Sequence, residues 1–223
     1  MDILSSLQIA GPEVFLAGYG LLAVLLGAVL GDGFSKYSNP LSALALTVAA
    51  ALALMQAQAG PQTAFGGVYA IDGFGAYAKC VALLMAAASL QLSTHYLVTE
   101  KLQRYEYALL IVFASIGMGV MLSAGNLMTV YMGVEMLSLP SYILAAFNRD
   151  SRRSSEAGLK YFVLGALASG LLLFSMSLVY GFAGSAAFTD IAQADMTVGM
   201  IFGLVLMITG LAFKASAAPF HVW

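Results

Sequence analysis

From residue 14 onward the chain alternates long apolar blocks with short polar patches. The blocks are too long and too evenly apolar for strands or for amphipathic helices of a soluble domain. Blocks at 14–30, 41–59, 73–98, 107–123, 127–147, 157–180 and 198–218 approach or exceed the roughly 20 residues that cross about 30 Å of hydrocarbon. The ten-residue alternation of a transmembrane barrel is absent. The expected fold class is all-α, a polytopic membrane helix bundle of about seven spans. Composition agrees: 61% of residues are hydrophobic and 9% charged, where a soluble domain carries about a quarter charged.

The polar patches set connections and orientation. Gly125 and Asn126 join the fourth and fifth blocks, which makes those spans a tight antiparallel hairpin. Ser154, Ser155 and Glu156 read as a serine cap and first-turn acid for the sixth, and Thr189-Asp190 as the cap of a short surface helix. Lys36 follows the first block, Lys101 and Arg104 the third, and Arg149, Arg152 and Arg153 the fifth; the other connections hold no Lys or Arg. The positive-inside rule then puts these connections in the cytoplasm and the N-terminus outside, with Asp2, Glu13, Asp72, Asp190 and Asp195 on the opposite face. Residues 1–13 are acidic and lack the positive start of a cleaved signal peptide, so the first span is expected to stay. The single cysteine, Cys80, gives no disulfide or thiolate cluster within this chain and reads as packing. A net charge of −2, with no basic tract beyond the connections, offers nucleic acid nothing to bind.

Charges inside the blocks carry the candidate chemistry. A charged group at the bilayer centre costs about 2.5–3.5 kcal/mol on insertion scales, so such groups are retained for a task. Glu135 lies about 12 Å into its block by helix rise, with a stem too short to snorkel. Pro140 removes an amide donor and frees the Met136 carbonyl beside it. Lys79 and Lys160 lie near block ends, where snorkelling competes with function and is favoured for Lys160. Lys214 precedes Pro219, which marks either a broken span at an ion site or a plain helix end. Counted from the block starts, Glu135 lies about 12 Å deep and Lys214 about 24 Å, so their pairing requires a later start to the last span, the break, or the lysine stem. His95 and His221 lie near membrane ends and do not suggest a haem pair. Phosphate-cradling, zinc-hydrolase and serine-elbow motifs are missing, which leaves protons or cations moving between buried charges.

Residues 133–185, "GVEMLSLPSYILAAFNRDSRRSSEAGLKYFVLGALASGLLLFSMSLVYGFAGS", and 210–223, "GLAFKASAAPFHVW", closely resemble the subunit N family of bacterial NADH:quinone oxidoreductase, respiratory complex I. The resemblance implies an antiporter-like fold of fourteen helices with two inverted five-helix repeats, each with a broken helix. This chain would be its N-terminal half: residues 1–125 as spans one to four, the fourth opening the first repeat, and 126–223 continuing that repeat until it is truncated at Trp223. A fragment or truncated gene product is expected.

The resemblance also implies proton translocation by Glu135, Lys214 and Lys160; from the residues themselves, Pro140 and Pro219 are expected to shape the path, and His221 and Lys79 are further candidates. A buried lysine is driven toward neutrality by desolvation and toward charge by a nearby carboxylate, so moving the carboxylate charge changes its hold on a proton. No cofactor and no redox chemistry are expected on this chain, since the complex uses NADH and quinone elsewhere. Its partners would be other membrane-arm subunits and the bilayer, in a bacterial inner membrane. The competing readings are a cation/proton antiporter or membrane-bound hydrogenase subunit of the same fold, and a scaffold whose charges only pair helices. The topology makes a direct prediction: single cysteines at 36, 104 and 152 stay unmodified by an impermeant reagent added outside right-side-out vesicles. Labelling at 152 reverses the assigned orientation.

Overall fold

The computed structural model describes residues 3–220. The order is α1 (Ile3–Ile9), α2 (Gly11–Leu30), α3 (Asp32–Gln58), β1 (Gln62–Ala64), a 3-10 turn (Phe65–Gly67), β2 (Tyr69–Ile71), α4 (Gly73–Thr99), α5 (Tyr105–Leu122), α6 (Leu127–Ala145), α7 (Arg152–Ala183), α8 (Phe188–Ile191) and α9 (Val198–Lys214). Helices α2 to α7 are long and apolar enough to cross a membrane, and α9 is a shorter apolar helix. The chain is a multi-pass helical membrane bundle, as expected. Leu21, Val29, Leu92, Leu167 and Phe174 project from it as exposed apolar surface.

Polar side chains start the helices by accepting the amides left free in a first turn. Asp72 caps α4 through Gly75, Asn126 caps α6 through Thr129, and Thr197 caps α9 through Met200. Several helix bounds differ from the sequence reading. Helix α3 begins at Asp32 and places Lys36 in its second turn, because several polar side chains of the run that reads as a loop find partners within the bundle. Ser38 donates to Ser35 O, Asn39 to Thr94 Oγ1, and Ser42 bonds the Tyr19 hydroxyl, so the helix runs on through Pro40. Helix α7 begins at Arg152 with Ser151 as its cap, while Ser154 donates instead to Ala145 O. Helix α9 ends at Lys214, short of the expected 218, and α8 is capped at Ala187, ahead of Thr189-Asp190.

The helices pack chiefly as α3 on α4, α5 on α6 and α7 on α9, with α2 against α3 and α5. One core holds Leu16, Leu46, Leu83, Leu90 and Val112 between α2 and α5, with Cys80 buried in it. A second holds Val134, Leu172, Met176, Val179 and Met200 between α6, α7 and α9. The α5–α6 hairpin joins the two, since Met136 of α6 packs on the first and Met121 of α5 on the second. Between these helices the backbones touch. A Cβ on Gly117 would lie 2.5 Å from Leu137 N, and one on Gly133 would lie 2.7 Å from Met121 N.

The antiparallel β1–β2 hairpin, unforeseen in the sequence, covers the α5–α6 turn. Ala70 N donates to Ser123 O (2.8 Å), Gly125 N to Val68 O (2.9 Å) and Thr129 Oγ1 to Val68 O (3.0 Å). At Gly133 a side chain must push two backbones apart, and overpacking of this kind costs about 1–3 kcal/mol. Gly133→Val should therefore lower the thermal unfolding midpoint of the detergent-solubilised protein, whereas Gly170→Val, at a glycine with open space around it, should not.

Candidate functional site

Helix α6 presents Glu135, Ser138 and Tyr142 along one face, at the three- and seven-residue offsets that align side chains on a helix. All three meet Lys214 at the end of α9: its Nζ donates to Glu135 Oε1 at 3.3 Å, Ser138 Oγ at 3.0 Å and Tyr142 OH at 3.2 Å. Ser169 of α7 donates to the same Glu135 oxygen at 2.5 Å. Tyr142 is clamped edge-on by Tyr161 and Phe162, and Gly165 leaves room for its hydroxyl. A cavity of about 390 Å3, lined in part by Ser138, Tyr142, Tyr161 and Lys214, adjoins the pair. Pro140 is buried within an unbroken α6 and leaves Met136 O without its helical donor.

The depth mismatch disappears because the helices do not start level. Helices α7 and α9 pack antiparallel, with Phe182 over Gly199, Val179 against Gly203 and Leu172 against Gly210. This register brings Ser169 beside Lys214. Helix α9 thus begins about 24 Å from its lysine, and α6 only about 12 Å from its glutamate. Helix α9 begins at Val198, where the sequence reading put it, and the packing register, with α9 starting further out than α6, closes the gap.

Lys160 lies apart from this cluster. It is exposed on α7 and pairs with Glu156 one turn earlier at 2.6 Å. Pro219 lies in the turn after α9, and His221 lies outside the described residues. Among the described residues, no cluster of three or more His, Cys, Asp or Glu is placed to hold a metal ion.

Lys79 does not snorkel. It is 1% exposed, and its Nζ lies 2.5 Å from Glu13 Oε1. It also donates to Tyr69 OH at 2.8 Å, and Tyr69 OH donates to Glu13 Oε2 at 3.0 Å. Glu13, assigned from sequence to the outer loop, is instead a buried residue in the first turn of α2. The signal was available: α2 and α4 both start on the same side of the bundle, and Lys79 lies in the second turn of α4. Burial first, then the Glu13 charge, hold the Tyr69 phenol well above its usual range.

An antiporter-like membrane fold with buried Glu–Lys pairs defines the class, and known proteins narrow it. Residues 124–223 match the family described as NADH:quinone oxidoreductase/Mrp antiporter, TM. Over its full length the chain is 58% identical to NADH-quinone oxidoreductase subunit N of Hirschia baltica, of which it covers 47%. A chain of Thermus thermophilus respiratory complex I superposes on 95% of it at 34% identity and a TM-score of 0.81, and 45% of that chain is covered. A chain of the Mrp complex from a Dietzia species matches all of it at 24% identity and a TM-score of 0.75, with 43% of that chain covered; this is likeness of fold alone. The resemblance to the subunit N family is thus shown, and the chain spans about half the length of the curated relatives it matches.

The two other candidate lysines, Lys79 and Lys160, should respond differently to removal. Breaking a buried pair costs about 3–5 kcal/mol. Lys79→Met should therefore lower the thermal midpoint of the solubilised protein by several degrees, and Lys160→Met should leave it unchanged.

Proposed function

We propose that this chain is the proton-translocating part of a membrane-arm subunit of NADH:quinone oxidoreductase, with Glu135 and Lys214 as the pair that holds and releases the proton. The observation that carries this reading is the Lys214–Glu135 contact inside the bundle, where two charges share Ser138, Tyr142 and Ser169 beside a cavity large enough for several waters. Protonating Glu135, or drawing its charge away, removes the attraction that holds the proton on Lys214. The proton can then leave through the adjoining cavity.

The rest of the reading follows the relatives. The whole protein would assemble with other membrane-arm subunits, and quinone reduction by NADH elsewhere in the complex would drive the pair, with no cofactor on this chain. The loop charges support an orientation with the N-terminus outside, in a bacterial inner membrane. Lys160 is proposed as an intake residue on the cytoplasmic side, next in sequence to Tyr161, whose ring packs on Tyr142. Residues 1–125 and 126–223 are taken as the N-terminal helices and the continuing first repeat, which the family match from residue 124 supports. An Mrp-type antiporter role has the weaker support, at 24% identity against 58% for subunit N.

Glu135→Gln keeps shape and hydrogen bonding while deleting the charge. In the full-length subunit within the assembled complex, it should lower the number of protons pumped per electron, and Glu135→Asp should retain part of it. Lys160→Gln should have the smaller effect. A wild-type ratio in Glu135→Gln leaves Glu135 as a scaffold residue and ends the proton-pair reading.

A further inference from the structure

The second ion pair has no part in the reading above. Glu13, Tyr69 and Lys79 come from α2, β2 and α4, and they are 7%, 5% and 1% exposed. In composition they repeat the first cluster. Each has a carboxylate, an ammonium and a phenol that accepts from the ammonium, with the lysine nitrogen 5.1 Å from the Tyr69 ring centre and 5.8 Å from that of Tyr142. One feature differs: the Tyr69 hydroxyl accepts from Lys79 and donates to Glu13, so a hydrogen-bonded path runs from ammonium to carboxylate.

Packing alone is a weak reason to keep such a pair. Neutral side chains of similar volume are often as stable in apolar surroundings or more so.

The location ties the cluster to the first site. Helix α5 separates the two: a Cβ on Gly119 would lie 2.7 Å from Glu13 Oε1, while Gly117 faces the α6 backbone at Gly133 and Leu137, on either side of Glu135. Gly117 and Gly119 are about 3 Å apart along the helix, so the charged sites flank the α5–α6 contact at nearly one level. Tyr69 itself rides on the hairpin whose backbone is bonded to the α5–α6 turn and to Thr129 of α6.

We propose that Glu13, Tyr69 and Lys79 form a second proton-holding site of this chain, coupled to Glu135–Lys214 through the α5–α6 hairpin and the β1–β2 hairpin. The inference rests on the proton-translocation reading. In its central step an N–H bond of Lys79 breaks as an O–H bond forms on Tyr69, and the proton already on Tyr69 passes to Glu13 Oε2. Ammonium and carboxylate become amine and carboxylic acid, with no change in net charge and no reactant besides the proton. Because the phenol holds its own proton tightly, the two transfers go together and no phenolate accumulates. A shift of α6 that moves the hairpin changes the two Tyr69 bonds, and so reports the state of one pair to the other.

The test uses the full-length subunit in the assembled complex, in sealed membranes, reading protons pumped per electron. Tyr69→Phe removes only the bridging hydroxyl. The double variant Glu13→Gln with Lys79→Met removes both charges and leaves neither unpaired. Both should lower the ratio clearly below the wild-type value, with the loss carried through the packed elements between the sites. Infrared difference spectra on quinone reduction should lose a carboxyl band in Glu13→Gln. A structural pair predicts the opposite, with the neutral double variant pumping at the wild-type ratio. That result, or a wild-type ratio in Tyr69→Phe, overturns the second site, and Tyr69→Phe alone decides if the double variant does not assemble. Glu135→Gln measured in the same membranes separates the two ideas: a normal ratio there defeats the underlying reading, whereas a lowered ratio beside a normal double variant defeats only this one.

Discussion

The backbone contact between α5 and α6 positions both buried Glu–Lys pairs of this bundle. Gly117 and Gly133 bring the two helices together with no side chain between them, and the capped turn at Asn126 holds their register. That closeness leaves the outer face of α6 free to carry Glu135, Ser138 and Tyr142 toward α7 and α9. It leaves the opposite face of α5 free to receive Glu13 at Gly119. A larger residue at either contact glycine would drive the helices apart and carry both charged clusters with them.

The two ion pairs solve the cost of burying charge in different ways. Lys214 ends its helix, where the last carbonyls carry partial negative charge, and it spreads three donors over three oxygens on one face of α6. Lys79 is held within α4 by groups from two other elements. The first arrangement is partly open, with side-chain exposures of 13% and 21%, against 1% and 9% for the second. A side chain at a helix end beside a cavity can move by its own rotamers. One locked between a helix and a hairpin moves only when the hairpin does.

How much of this was legible in the sequence depends on what each residue opposes. Spans are easy to read because contact with lipid demands unbroken apolar runs, and Glu135 stands out because nothing in such a run excuses a short acid. Lys214 was ambiguous by spacing and gained weight only from the resemblance. Glu13 was missed because an acid at the edge of an apolar block looks like a loop charge; its burial depends on Lys79 and Tyr69, which lie 66 and 56 residues away. The start of α3 was missed for the same kind of reason: Asn39 and Ser42 find partners on neighbouring helices, and a linear reading sees only their polarity. Depth counted from block starts failed for Lys214 because α9 starts further out than α6, a fact of packing register.

These failures share a cause that bears on function. Composition along the chain reports contact with lipid, whereas the charged clusters are made by contacts between helices, and their members are chosen by position around an axis and level along it. Glu13 and Glu135 lie in different helices with different neighbours, yet both are placed by one glycine-lined interface. A bundle that keeps two Glu–Lys–Tyr clusters on opposite sides of its α5–α6 contact has retained buried charge where apolar residues would pack as well. The hairpin, bonded to the α5–α6 turn at one side and carrying Tyr69 at the other, is the element through which a change in one cluster has a physical route to the second.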